Sequence, residues 1–115
     1  ESYVTYSNEA KHKLLGVKKE TLEKYGAVSR QTAAEMAEGA VRAAGADASV
    51  VTTGVAGPGG GTEEKPVGLV YIGCYVKGCT IVKRCFYGGD RQGVRYSAVK
   101  EALDILYCQL LADEH

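Results

Sequence analysis

Ala48 to Val55 (Ala-Ser-Val-Val-Thr-Thr-Gly-Val) is almost wholly β-branched or small, and it runs directly into Ala-Gly-Pro-Gly-Gly-Gly-Thr at 56–62. Such a run suits a strand buried on both faces of a sheet. The glycines that follow cannot continue it as regular structure. The chain must therefore build a covered sheet with a glycine loop at one end. Two further strands are predicted, Pro66 to Val76 and Cys79 to Tyr87, and Lys77-Gly78 between them reads as a tight hairpin turn.

Helices account for most of the remainder. Asn8 is expected to cap a short helix through Lys11 to Leu15, closed by Gly16, and a second runs from Lys18 to Tyr25 before Gly26. Ser29 caps a longer helix, Arg30 to Ala44, whose Ala33, Met36, Ala37, Ala40, Val41 and Ala44 form one stripe of small apolar residues. Asp90 caps the last helix, Arg91 to Leu111, with Val94, Ala98, Val99, Ala102, Ile105, Leu106 and Leu110 as its apolar face. Tyr3 to Ser7 reads as a short strand without lead-in, as if a domain had been cut. The order strand, helices, strand, hairpin, helix predicts a single α/β domain over 1–115, three-layered, with a mixed sheet and helices packed on it.

Composition excludes several classes. Lys plus Arg equals Asp plus Glu at 14 each, so the chain lacks the basic surface of a nucleic-acid binder. No apolar run approaches the roughly 20 residues of a membrane span, and Glu1 to Lys11 has no apolar signal segment. Cys74, Cys79, Cys85 and Cys108 form no CxxC pair and have no histidine close in sequence, so they read as small buried residues of a cytosolic protein, with no metal and no cofactor.

Three stretches can carry chemistry. Tyr6 and Lys11 are titratable groups at a strand-to-helix junction. Lysine serves as a general base where burial or a neighbouring cation lowers its pKa; otherwise Lys11 is a solvated helix residue. Thr53, Gly54 and Gly57 belong to the glycine loop, whose N–H groups can face an anion or a developing oxyanion; the alternative is a plain surface turn. The loop is neither a phosphate-binding P-loop, since no Gly-Lys-Ser/Thr follows, nor a dinucleotide fingerprint, since Pro58 blocks an immediate helix. Arg91 and Arg95 share one face at a helix N-terminus, a place suited to a phosphate, or simply to a salt bridge. His12 and His115 read as exposed and without a role, and Glu63-Glu64-Lys65 as a solvated loop.

Tyr-Ser-Asn-Glu-Ala-Lys at 6–11, Gly-Ala-Val-Ser at 26–29, Thr-Gly-Val-Ala-Gly-Pro-Gly-Gly at 53–60, Glu-Lys-Pro-Val-Gly at 64–68 and Gly-Asp-Arg-x-x-Val-Arg at 89–95 occur in that order. Together they resemble the C-terminal domain of the competence/damage-inducible protein CinA, also found as a stand-alone nicotinamide-nucleotide amidase. The resemblance implies an enzyme that hydrolyses the carboxamide of nicotinamide mononucleotide, releasing ammonia, through a serine nucleophile activated by lysine and without metal. It places Lys11 as the general base and Tyr6 as its supporting tyrosine. Thr53 and Gly54 fall in the stretch lining the reacting amide, and Arg91, with Arg95 as a weaker candidate, at the substrate. The family's nucleophile lies upstream, in a Glu-Ser-Cys-Thr-Gly-Gly block. Glu1-Ser2 is followed by Tyr-Val instead. The sequence therefore reads as a domain short of its N-terminal helix and strand, inactive alone and prone to self-associate, with a dimer expected. The competing reading is a non-catalytic nucleotide-binding or interaction domain of a competence- or DNA-damage-associated protein.

Overall fold

The computed structural model describes residues 7–114. The strand expected from Tyr3 falls outside them, apart from Ser7. The elements are α1 (Asn8–Leu15), α2 (Lys19–Tyr25), α3 (Arg30–Ala44), β1 (Ala48–Gly54), β2 (Leu69–Val76), β3 (Cys79–Phe86) and α4 (Arg91–Glu114). The strands form one sheet in the order β1-β2-β3, antiparallel throughout among the described residues. Lys77 and Gly78 both take positive φ, 44° and 84°, as a two-residue type I′ hairpin turn requires.

Alternate strand residues face opposite ways, which separates the layers. Val70 and Ile72 of β2 pack with Val94, Ala98 and Ala102 of α4 on one face. Gly73 turns to the other, where a side chain would come within 2.6 Å of the Ala33 carbonyl oxygen of α3. α3 thus lies on one side of the sheet and α4 on the other, with α1 and α2 packed on α3. A second core, Leu15, Val17, Leu22 and Met36, joins α1 and α2 to α3.

Capping explains the helix ends. Ser7, not Asn8, caps α1: it has extended backbone and its Oγ accepts from Ala10 N at 3.0 Å, while Asn8 is already helical. Ser29 Oγ accepts from Thr32 N at 3.1 Å, and Gly45 closes α3 in the left-handed conformation. Asp90 Oδ1 accepts from Gly93 N at 2.8 Å at the start of α4. α2 has no cap of its own; Glu35 of α3 accepts from Lys18 N at 2.8 Å and from Thr21 Oγ1 at 2.6 Å, so α3 positions it.

Four expectations change. The strand buried on both faces is β2, whereas β1 is an edge of the described sheet and mostly half-buried. A β-branched run reports covered faces, but not a strand's place in the sheet. Val99 and Leu110 of α4 point to solvent, because the alanines at 98 and 102 allow the closer approach to the sheet. Cys74 and Cys85 are buried, but Cys79 and Cys108 are exposed. His12 is only partly exposed and its Nδ1 lies 2.8 Å from the Val17 carbonyl oxygen, tying α1 to the segment after it. Among the described residues no helix is long and apolar enough to cross a membrane.

Candidate active site

Lys11 stands on the inner side of α1 and is only 7% exposed, among the most buried charged residues in the structure. Desolvation by that burial pushes its ammonium below the ordinary value of 10.5. Packing thus supplies burial, one of the two routes by which a lysine's pKa is lowered. α1 reaches this depth because Gly39 of α3 has no side chain: a Cβ there would sit 1.5 Å from the Leu15 carbonyl oxygen. Tyr6, the expected partner of Lys11, lies outside the described residues. A 390 Å³ cleft between α1 and α2 is lined by Asn8, Glu9, His12, Lys13, Lys19, Leu22 and Glu23, and none of the expected site residues among those described lines it.

Thr53 is buried near the end of β1, on the α3 side of the sheet, and its hydroxyl donates to the Ala27 carbonyl oxygen at 2.7 Å. A threonine hydroxyl has one proton and two lone pairs. With the proton committed to Ala27, Thr53 can only accept from a ligand, as from the N–H₂ of a carboxamide. The neighbouring carbonyls of the same turn are also held. Gly26 O accepts from Ser29 Oγ at 2.9 Å and from Thr32 Oγ1 at 2.7 Å, and Tyr25 O accepts from Lys65 Nζ. Three parts of the chain thus fix the turn before α3.

The glycine loop is a built feature, not a slack turn. Gly57 is buried at φ 87° and a side chain there would come within 2.6 Å of Val67 Cγ1. The Gly57-Pro58 bond is cis. Gly54 is also constrained by packing, since a Cβ would lie 2.7 Å from the Leu69 carbonyl oxygen. Arg91 Nη1 donates to Gly57 O at 2.9 Å, which brings the start of α4 onto the loop. No carboxylate pairs with Arg91 among the described residues, so its guanidinium keeps donors for an anion. Arg95 is exposed and makes no hydrogen bond or ion pair among the described residues. Of the two arginines, only Arg91 is joined to the loop.

Lys65 is the residue that sequence reasoning missed. In a Glu-Glu-Lys run a lysine reads as solvated, yet this one crosses from the glycine loop to the turn before α3, 40 residues away. Only its neighbourhood in the ordered Glu-Lys-Pro-Val-Gly block could have marked it. Lys65→Met is expected to cost about 1 kcal/mol and to speed limited proteolysis within 56–64 several-fold; an unchanged cleavage rate would show that the contact does not hold the loop.

The CinA C-terminal domain family matches residues 1–110, and the chain belongs to that family. It is 58% identical over 111 residues to a CinA-like protein of Kosmotoga olearia, covering 96% of this chain and 27% of that protein. Among solved structures it is similar to the competence/damage inducible protein CihA of Agrobacterium tumefaciens, with a TM-score of 0.89 and 46% identity over 92% of this chain and 66% of the other. A CinA superfamily protein of Escherichia coli gives 0.86 and 41%, over 93% and 62%. The chain spans about a quarter of the length of the curated relatives it matches.

Proposed function

We propose that these residues form the base-bearing and substrate-binding part of an amidohydrolase that converts nicotinamide mononucleotide to nicotinate mononucleotide and ammonia. The observation that carries the reading is the buried Lys11 amine, whose lowered basicity suits it to take a proton from a serine. The serine belongs to the upstream block that the resemblance implies. Its Oγ attacks the carboxamide carbon while Lys11 accepts the hydroxyl proton. Lys11 then returns that proton to the departing nitrogen, ammonia leaves, and an acyl-enzyme remains. Water, deprotonated by Lys11 in turn, hydrolyses the ester. Thr53 accepts from the carboxamide N–H₂ while it is still bound, and Arg91 holds the nucleotide's phosphate.

The test is ammonia release from nicotinamide mononucleotide by a full-length protein that contains the serine block. Turnover is expected there and not from the 115 residues alone. No ammonia from the full-length protein, with serine and Lys11 intact, contradicts the proposal. Arg91→Ala in that protein should raise KM about 10- to 100-fold, the worth of a charged hydrogen-bonded contact, with kcat within a few-fold. A fall in kcat at unchanged KM would remove Arg91 from substrate binding.

The exposed guanidinium of Arg91, which pairs with no carboxylate among the described residues, also suits the competing reading, a nucleotide-binding module without turnover. That reading predicts saturable binding of the nucleotide to the full-length protein, measured by calorimetry, with no ammonia formed.

A further inference from the structure

Two of the groups assigned to the substrate stand on different walls, and one side chain ties the walls together. Arg91 reaches the glycine loop at Gly57 O, 2.9 Å away. Thr53 leans on the turn before α3, donating to Ala27 O at 2.7 Å. Lys65 rises from the base of the loop and donates from Nζ to Tyr25 O, two residues before Ala27.

Both anchorages of Lys65 are firm. On the loop side, Thr62 N donates to Lys65 O at 2.9 Å and Lys65 N donates to Thr62 Oγ1 at 3.0 Å, which closes the base of the loop. Two residues on, Val67 seats the loop: a Cβ on Gly57 or Gly61 would come within 2.6 Å or 2.9 Å of its methyl carbons. On the turn side, Gly26 O is held by Ser29 Oγ and Thr32 Oγ1. A Cβ on Gly26 would stand 2.7 Å from Lys65 Nζ, so the ammonium lies against the turn itself. These contacts form a closed circuit from Gly57 through Val67, Lys65 and the 25–27 turn to Thr53, and back along the chain to Gly57. Removing the Lys65 amine opens the circuit and leaves Thr53 and Arg91 in the protein.

We infer that Lys65 is a positioning residue that registers the phosphate end of the ligand against its amide end. The inference rests on the roles of Arg91 and Thr53 in the amidase reading. Lys65 acts through the loop and the turn, not by touching the nucleotide. Binding energy from a remote phosphate speeds cleavage only where the two ends are held in register. With the circuit open, the phosphate should lose much of its effect at the carboxamide.

The experiment compares kcat/KM for nicotinamide mononucleotide and for nicotinamide riboside, the same compound without phosphate, in the full-length protein. The parent should favour the nucleotide about 10- to 100-fold, the worth of a charged hydrogen-bonded contact. Lys65→Met should cut that preference about tenfold and leave the riboside within a few-fold of the parent. Partial unfolding slows both substrates alike and does not move the ratio. Lys65→Arg, which keeps a donor for Tyr25 O, should retain most of the preference. In an Arg91→Ala background Lys65→Met should change the ratio little, because the contact it registers is already gone.

The inference alone is overturned if Arg91→Ala abolishes the preference and Lys65→Met keeps it, or if Lys65→Met slows both substrates equally. An undiminished effect of Lys65→Met in the Arg91→Ala background also overturns it, since Lys65 would then meet the phosphate directly. A parent without any preference for the nucleotide removes the phosphate role of Arg91, and the inference falls with it.

Discussion

Lys11→Ala in the full-length protein is expected to lower kcat for nicotinamide mononucleotide deamidation about 10²- to 10⁴-fold, the usual worth of a positioned general base, and to leave KM within a few-fold. The reason lies in the division of labour. Lys11 is buried on α1, whereas the contact assigned to the phosphate joins Arg91 at the start of α4 to Gly57. Its loss should remove the proton acceptor and spare the binding group. Steady-state ammonia release measures both constants, and a rise in KM at constant kcat would make Lys11 a binding residue instead. The pH profile carries a sign as well. The ammonium cannot accept a proton, so kcat/KM should rise with pH as Lys11 deprotonates, with a midpoint below 10.5 because burial lowers its pKa. Between that midpoint and 10.5 the unfolded chain binds the proton and the folded one does not. Lys11 therefore makes stability increase with pH in that window.

Gly39→Ala should be the most damaging single-methyl change in the fold. The added Cβ would stand 1.5 Å from a backbone oxygen, Leu15 O, and backbone cannot swing aside as a long side chain can. α1 must lift from α3, opening the core of Leu15, Val17, Leu22 and Met36. A cost of about 3 kcal/mol or more is expected, read as a drop in melting temperature of roughly 12 °C or more for a domain of this size. Gly59→Ala is the matched control: nothing lies within 4 Å of its added methyl and its backbone is not left-handed, so it should stay within about 0.5 kcal/mol of the parent. A Gly39→Ala protein as stable as this control would mean that α1 is not seated on α3 as described, and the burial of Lys11 would lose its basis.

Much of this was legible before any coordinates. Ser29 and Gly45 bracket α3, Asp90 opens α4, and Lys77-Gly78 makes the hairpin, because capping and tight turns demand particular residues at particular places. What could not be read is relational. Ser7 and Asn8 are both good caps, and only backbone geometry decides between them. α4 is apolar on two sides, and the choice of packed face depended on alanines fitting against β2. Gly39 looks like any helix glycine until α1 is laid against it.

The site divides in the same way. Lys11, Thr53, Gly57 and Arg91 stand out by residue type and motif order, and the structure joins Arg91 to Gly57 and buries Lys11. That Thr53 can only accept, and that Lys65 bridges two loops, depends on partners 26 and 40 residues away. No local pattern encodes them.

Whether Lys11 is the buried, weakly basic amine that the amide-cleaving reading requires can be measured without substrate. The full-length protein with ¹⁵N-labelled lysines, assigned by comparison with Lys11→Arg, would be titrated by nuclear magnetic resonance at Nζ. The account predicts one resonance, belonging to Lys11, that loses its proton below 10.5 and ahead of the surface lysines. Titration of Lys11 together with those surface lysines, or above them, would contradict it.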